Sequence, residues 1–368
     1  MTATSFDHAH MALALRLAER GMYTTQPNPR VGCVLAHGEE IVARAWHERA
    51  GQAHAEVLAL REAGDRARGA CAYVTLEPCA HFGRTPPCAD ALIAAGVARV
   101  VVASGDPNPK VDGGGLRRLR DAGIVVETGL MYDAARELNR GFFSRIERGR
   151  PWLRVKSAMS LDGRTALANG KSMWVTGEAA RADVQRWRAR SSAILTGSGT
   201  VRADNPQLTV RFNTLCPDNV GGEGFKPLRV VLDRDLKTPG RSRVLDGSAP
   251  TLFFHAHGAI PAHDGFDRFE CVAVDSDSDG LKLPAILQEL AARGVNELQV
   301  EAGSTLCGAL FVANLVDELL VYIAPVLLGD QARALLRFPG IDDMVKARRL
   351  RVMEQRQVGD DLRILLRP

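Results

Sequence analysis

Residues 54 to 88 set the tightest demand on any fold this chain adopts. They read His54-Ala55-Glu56, then Thr75-Leu76-Glu77-Pro78-Cys79, then Pro86-Pro87-Cys88, with helix-like and strand-like segments between. One imidazole and two thiolates make three protein ligands for a zinc ion and leave the fourth tetrahedral position to water. The backbone must therefore return twice to the same point. Residues two apart on a helix point about 200° away from each other, so His54 and Glu56 share a site only at the N-terminal tip of a helix that starts there. The helix dipole favours an anionic Glu56 at that tip, where it can move protons. A structural zinc site would ask for a fourth Cys or His and would have no use for Glu56.

The other cysteines do not compete. Seven in all (Cys33, Cys71, Cys79, Cys88, Cys216, Cys271 and Cys307) are an odd number without framework spacing, and disulfides are not expected. Cys33, Cys71 and Cys271 lie in apolar, β-like runs and read as small buried hydrophobes. The N-terminus shows no signal peptide, and the apolar run from Leu319 to Leu328 is too short for a membrane span and contains Pro325. A cytoplasmic address follows as an expectation, with no membrane partner. The net charge of +4 is dispersed and only 5% of residues are aromatic, which suits a small phosphorylated ligand better than a polynucleotide.

At 368 residues, two domains are expected. Asp7 is read as the cap of a first helix with Met11, Ala14, Leu15 and Ala18 on its apolar face. Strands follow at 31–36 and 40–46, with Gly32 permitting a close backbone approach. The amide of Asn28 can both donate to and accept from a heterocycle edge, although a plain turn role explains it equally well. A helix begins at His54 and ends at Gly64. A strand at 70–76 leads to Cys79, and a helix over 89–95 puts Cys88 in its first turn, where the dipole favours thiolate. His81 is a competing ligand, ranked as facing substrate or supporting the site. Strands at 98–103 and 124–127 alternate with a helix at 116–122, the pattern of an α/β sandwich. The charged, Gly/Pro-marked stretch 145–151 reads as the boundary, giving domains 1–148 and 149–368.

In the second half, strands at 153–158, 193–196, 297–301 and 317–328, a helix over 178–190 and a C-terminal strand at 362–366 are expected. Gly197-Ser198-Gly199-Thr200 and Ala302-Gly303-Ser304-Thr305-Leu306 each follow a strand, the second leading into a helix. Backbone N–H groups at such a helix start bind phosphate. Taken alone, the first is more often an ordinary turn. The fingerprint G-x-G-x-x-G is missing from both, so a standard dinucleotide fold is not supported; a dihydrofolate-reductase-like α/β domain is.

Zinc on one His and two Cys, with a nearby Glu, is the signature of deaminases of amino-heterocycles. The segments NPRVGCV, GQAHAE, VTLEPCAHFGRTPPC and SGDPNPKVDGGG resemble, in order and spacing, the deaminase half of the bifunctional riboflavin-biosynthesis deaminase/reductase family. KSAMSLDGRTA, SMWVTG, RWRARSSAILTGSGTVRADNPQLTVR and QVEAGSTLCGALF resemble its reductase half. The resemblance implies a cytidine-deaminase-like three-layer α/β/α domain with zinc on His54, Cys79 and Cys88 and with Glu56 as proton shuttle. It implies deamination of 2,5-diamino-6-ribosylamino-4(3H)-pyrimidinone 5′-phosphate, then NADPH-dependent reduction of the ribose side chain. It places Ala158, Trp174, Thr200, Asp204 and the loop Gly303, Ser304, Thr305, Leu306, Cys307, Gly308 and Ala309 near the cofactor. Asn28, His81, Lys156, Ser172, Arg188, Leu208, Arg211 and Glu301 fall at substrate positions, with Arg188 and Arg211 suited to clamping the ribose phosphate. A homo-oligomer is the expected assembly. Three departures stand out: Gly114 where the family usually has lysine, Arg234 where it commonly has a small residue, and the glycine-rich insert 213–226. The rival readings are a tRNA-type nucleic-acid deaminase with an RNA-binding second domain, and a zinc-stabilised binding protein without catalysis.

Overall fold

The structure, a computed structural model, describes residues 4–80, 86–109, 111–211 and 226–368. It forms two units, Met1–Arg148 and Gly149–Pro368. Among the described residues no helix is long and apolar enough to cross a membrane.

The first unit runs α1 (Ser5–Glu19), β1 (Gly32–His37), β2 (Glu40–Trp46), α2 (Ala55–Ala63), β3 (Cys71–Val74), α3 (Cys88–Ala95), β4 (Arg99–Val102), α4 (Gly114–Asp121), β5 (Val125–Thr128), α5 (Tyr132–Leu138) and α6 (Arg140–Arg148). Its five strands order as β2-β1-β3-β4-β5. The β1 pairings are antiparallel, and β3-β4-β5 are parallel. Strand alternation explains the layers. Cys33, Leu35, Ala72, Val74, Val100 and Val102 point to one face and pack with Ala55 and Ala59 of α2, Leu92 of α3 and Leu119 of α4. Val34, Ala36, Tyr73 and Val101 point to the other and pack under Met11, Ala14 and Leu15 of α1. The result is the three-layer α/β/α sandwich expected from sequence. At Gly32 a Cβ would stand 2.0 Å from the Ala14 carbonyl oxygen, so only glycine lets α1 lie this close to β1.

Two local expectations change. Thr4, not Asp7, caps α1; its hydroxyl accepts from the Asp7 N–H while Asp7 accepts from the Thr4 N–H, a reciprocal capping box. Asp7 also accepts from Tyr73 Oη at 2.7 Å and pairs with Arg99 at 2.7 Å. The boundary stretch 145–151 is helical in its first part: residues 145–148 are the last turn of α6, and the units divide directly after Arg148.

The second unit runs β6 (Trp152–Ser160), β7 (Arg164–Ala166), α7 (Glu178–Arg190), β8 (Ala193–Gly197), α8 (Ser198–Asp204), β9 (Leu228–Leu232), β10 (Thr251–Ala256), β11 (Glu270–Val274), β12 (Ser276–Asp277), β13 (Gly280–Leu281), α9 (Leu283–Ala292), β14 (Glu297–Val300), α10 (Ser304–Val312), β15 (Glu318–Ala324), β16 (Arg333–Ala334), β17 (Arg351–Val358) and β18 (Asp361–Arg367). Nine strands make one sheet ordered β11-β10-β9-β8-β14-β6-β15-β18-β17, while β7/β16 and β12/β13 are short ladders. From β11 to β15 every neighbour is parallel, and the C-terminal pairings are antiparallel. One face packs Leu153, Val155, Leu195 and Val230 on Ile286 and Leu290 of α9 and Leu310 of α10. The other carries Leu320 and Tyr322 under Val184 and Trp187 of α7. Parallel strands present their C-terminal ends along one edge, and loops leaving such an edge are the usual place for a ligand.

Candidate active sites

In the first unit, the chain runs from β2 to His54, which occupies the N-cap of α2 with extended backbone angles. Glu56 falls in the first turn, so both side chains stand at the helix tip. Cys79 follows β3, and Cys88 opens α3 after Pro87. His54 Nδ1 lies 3.2 Å from Cys88 Sγ and 3.7 Å from Cys79 Sγ, and all three donor atoms lie within 4.8 Å of one another. Ordinary Zn–N and Zn–S bonds in tetrahedral geometry put nitrogen and sulfur about 3.6 Å apart. The residues fit the ion. Cys79 Sγ also accepts from the Cys88 backbone N–H at 3.3 Å. Hydrogen bonding from Cys88, assisted by His54, holds the Cys79 thiol well below the ordinary thiol range.

Glu56 is 3% exposed, and its Oε2 has no hydrogen-bond partner among the described residues. Burial pushes its carboxyl up to about 7, against the opposing pull of His54. An unpartnered buried oxygen beside a set of zinc donors marks where a proton-bearing ligand belongs.

Asn28 is tied to a residue that the sequence reading passed over. His47 Nδ1 is 3.1 Å from the Ala53 carbonyl oxygen, which can only accept, so this nitrogen carries the proton. His47 Nε2 therefore accepts from Asn28 Nδ2 at 3.1 Å. Burial holds the His47 pKa down, consistent with a neutral ring. The Asn28 carbonyl oxygen is left for another partner. The His47 and His54 rings meet edge-on at 5.4 Å between centroids.

Glu77 is the second unanticipated residue. Its buried carboxylate accepts from the backbone N–H groups of Asp106, Gly113, Gly115 and Leu116 at 3.0 to 3.3 Å. A Cβ on Gly115 would stand 1.9 Å from the Pro78 carbonyl oxygen. The turn holding Cys79 and the start of α4 are thereby locked together. At Gly114 the first neighbour of an added Cβ is Ala80 at 3.4 Å, so a side chain fits where this chain has none. His81 lies outside the described residues.

In the second unit a cavity of about 820 Å³ opens at the C-terminal ends of the parallel strands. Lys156, Ala158, Ser172, Trp174, Arg188, Thr200, Asp204, Leu208, Arg211 and Glu301 all line it. Gly303, Ser304, Thr305, Leu306 and Ala309 do so as well. Two members of that loop do not: Cys307 is fully buried with Sγ 3.4 Å from the Ala302 carbonyl oxygen, and Gly308 packs against the Arg337 backbone. Gly197 to Thr200 is not a free turn, because α8 begins at Ser198. The Gly303 N–H donates to Thr200 Oγ1 at 3.2 Å, joining the two small-residue segments.

Arg188 differs from the expected phosphate clamp. Its Nε and one Nη donate to the two Glu301 oxygens at 2.7 Å each, and its other Nη donates to the Thr209 carbonyl at 2.9 Å. Only two of its five N–H donors remain. Glu301 also accepts from Gln299 at 2.8 Å. Burial alone would raise the Glu301 carboxyl, but Arg188 and then Lys156 override it and hold it down to about 2. Lys156 is itself pushed down by burial. Ser172 Oγ donates to Asp204 at 3.2 Å, and the Trp174 ring, 66% exposed, lies under the Arg181 guanidinium at 4.6 Å.

Two family models match this chain. Residues 151–364 match the RibD C-terminal domain, and residues 4–104 match the cytidine and deoxycytidylate deaminase zinc-binding region. The chain is 48% identical to the riboflavin biosynthesis protein RibD of Escherichia coli (strain K12), over 97% of this chain and 98% of that one. The chain belongs to the RibD family. Among RibD structures, that of Acinetobacter baumannii (form 1) superposes with a TM-score of 0.89 at 42% identity, covering 99% of each chain. A deaminase/reductase from Thermotoga maritima gives 0.86 at 30% identity, again over 99% of each. RibD membership makes the chain a zinc deaminase and an NADPH-dependent reductase of riboflavin biosynthesis, and the nucleic-acid alternative is not favoured.

Proposed function

We propose that the two reactions of this deaminase/reductase divide between its units, deamination of the diaminopyrimidinone ribonucleotide in Met1–Arg148 and reduction of its ribose in Gly149–Pro368. The observation that carries the reading is the convergence of His54, Cys79 and Cys88 beside the unpartnered Glu56 oxygen. These three residues would hold zinc, which when bound supplies Lewis-acid activation of water. Glu56 takes a proton from the attacking water and gives one to the departing ammonia. Burial, which raises the Glu56 carboxyl, favours this exchange of protons. Asn28, oriented by His47, accepts from an N–H on the ring edge.

In the second unit, the cavity lined by Ala158, Thr200, Asp204 and the 303–306 loop would hold NADPH, which would supply hydride chemistry toward C1′ of the ring-opened ribose. Lys156, half-buried at the cavity wall and flanked by Glu301, orients the sugar and holds a proton beside it. Asp204, fixed by Ser172, is placed to orient the other side. Arg211 and the remaining N–H donors of Arg188 both face the cavity and would receive the substrate phosphate.

A coupled assay tests the whole. Ammonia should be released from the pyrimidine substrate and abolished by a zinc chelator, and NADPH oxidation should begin only as deaminated product accumulates. Ammonia release without any later NADPH oxidation would overturn the reductase half.

A further inference from the structure

The cavity of the second unit has an outer end that the reduction itself does not use. Its edge is built by strand termini in the order β9-β8-β14-β6. Lys156 and Ala158 mark the β6 position, Gly303 and Thr200 the middle, and Leu232 and Arg234 the β9 position. Neighbouring strands lie about 4.8 Å apart, so three steps separate β6 from β9 by roughly 14 Å. A dinucleotide with its nicotinamide at β6 and its pyrophosphate at the start of α10 would reach β9 with its adenosine ribose.

Arg234 sits there on a braced turn. The Asp233 carboxylate, 1% exposed, accepts from the Thr238 N–H at 2.6 Å, and the Asp233 N–H donates to the Phe254 carbonyl at 2.9 Å. The Leu236 N–H closes the turn on the Asp233 carbonyl at 3.0 Å. The Arg234 side chain is half exposed, and its ion-pair partner Asp235 stands 4.0 Å away, beyond hydrogen-bond reach. Its cavity neighbours are differently engaged: Arg188 on Glu301 and Arg243 on Gln207 at 2.9 Å. A planar guanidinium with uncommitted donors matches a phosphate in two-point geometry. NADPH carries such a group, on the adenosine ribose, and NADH does not.

We propose that Arg234 recognises the 2′-phosphate of NADPH and sets the preference of this chain for NADPH over NADH. The assignment rests on the reading that NADPH occupies this cavity, and the test separates the two. Calorimetric binding of NADPH, NADH and adenosine 2′,5′-bisphosphate to the full chain, as wild type, Arg234→Ser and Arg234→Lys, reads it without turnover. A charge-assisted phosphate contact corresponds to about 10- to 100-fold in affinity. Arg234→Ser should weaken NADPH and the bisphosphate by that factor and leave NADH within about twofold, and Arg234→Lys should recover part of the loss. Equal weakening of NADPH and NADH, or an unchanged ratio, overturns the role of Arg234 while leaving the cofactor site in place. Failure of the wild type to bind NADPH overturns both.

Discussion

In the first unit the buried Glu56 Oε2 lacks a partner among the described residues and two thiols crowd a single imidazole nitrogen, whereas in the second the half-buried Glu301 has both oxygens bonded to Arg188 and one also to Gln299. The first arrangement is complete only with an ion. The second is already neutralised from within, and its cavity needs shape and charge from a ligand rather than charge compensation. Buried unpaired charge is costly and buried paired charge much less so. The two sites should therefore respond in opposite ways when a polar group is removed.

The largest expected effect tests the first arrangement. Glu56→Gln keeps the shape and the zinc donors but removes the proton carrier, and ammonia release should fall by about 10²- to 10⁴-fold. Zinc content, measured on the same sample, should stay near one per chain. Cys88→Ala should lose the metal as well. Deamination by Glu56→Gln at the wild-type rate would break the contrast, because the orphaned oxygen would then have no task.

Next in size is the converse experiment on the second unit. Glu301→Gln leaves the half-buried Arg188 and Lys156 at the cavity wall without their carboxylate. Loss of one partner from a fully buried pair costs about 3 to 5 kcal/mol, and the loss here should be smaller because the pair faces the cavity. Denaturant unfolding should show that loss in the second unit's transition and spare the first. The same pair gives a pH signature. A carboxyl held to about 2 when folded, against about 4.5 when unfolded, contributes stability that is fully present above the unfolded value and disappears as pH falls through the folded one. The difference between wild type and Glu301→Gln should therefore shrink from about pH 5 downward, by on the order of 3 kcal/mol. A difference that stayed constant to pH 2 would show that Glu301 is not held down by its neighbours.

What the sequence revealed, and what it hid, follows the same divide. The convergence of His54, Cys79 and Cys88 was legible because histidine and cysteine have few other reasons to keep such company, and the helix tip at His54 followed from the spacing to Glu56. Strands β1, β3 and β4 were legible as short continuous apolar runs, the mark of strands buried on both faces. The role of Arg188 was not, since its partner Glu301 lies 113 residues away and an arginine on a helix looks the same whether it holds a phosphate or a carboxylate. Strand β17 escaped notice because nearly all its residues are exposed and no apolar alternation marks it. The last turn of α6 was read into the boundary stretch because it is charged and runs directly into Gly149 and Pro151. Glu77 was hidden for another reason: its partners are backbone N–H groups, which leave no trace in side-chain identity.

The smallest expected effect sharpens the comparison inside the first unit, where one polar pair is satisfied without the metal. His47 holds Asn28 by a single neutral hydrogen bond across 19 residues of sequence. Such a bond is worth about 1 kcal/mol. His47→Phe keeps a ring of similar bulk and removes both hydrogen bonds, so Asn28 loses its orientation while His54, Cys79 and Cys88 keep theirs. Deamination should show a KM raised by roughly fivefold with kcat little changed and zinc content intact. A merely structural role for His47 would instead lower thermal stability and leave KM alone. A fall in kcat with loss of metal would mean that His47 acts through its edge-on contact with His54, and that the imidazole, rather than the amide, is what it positions.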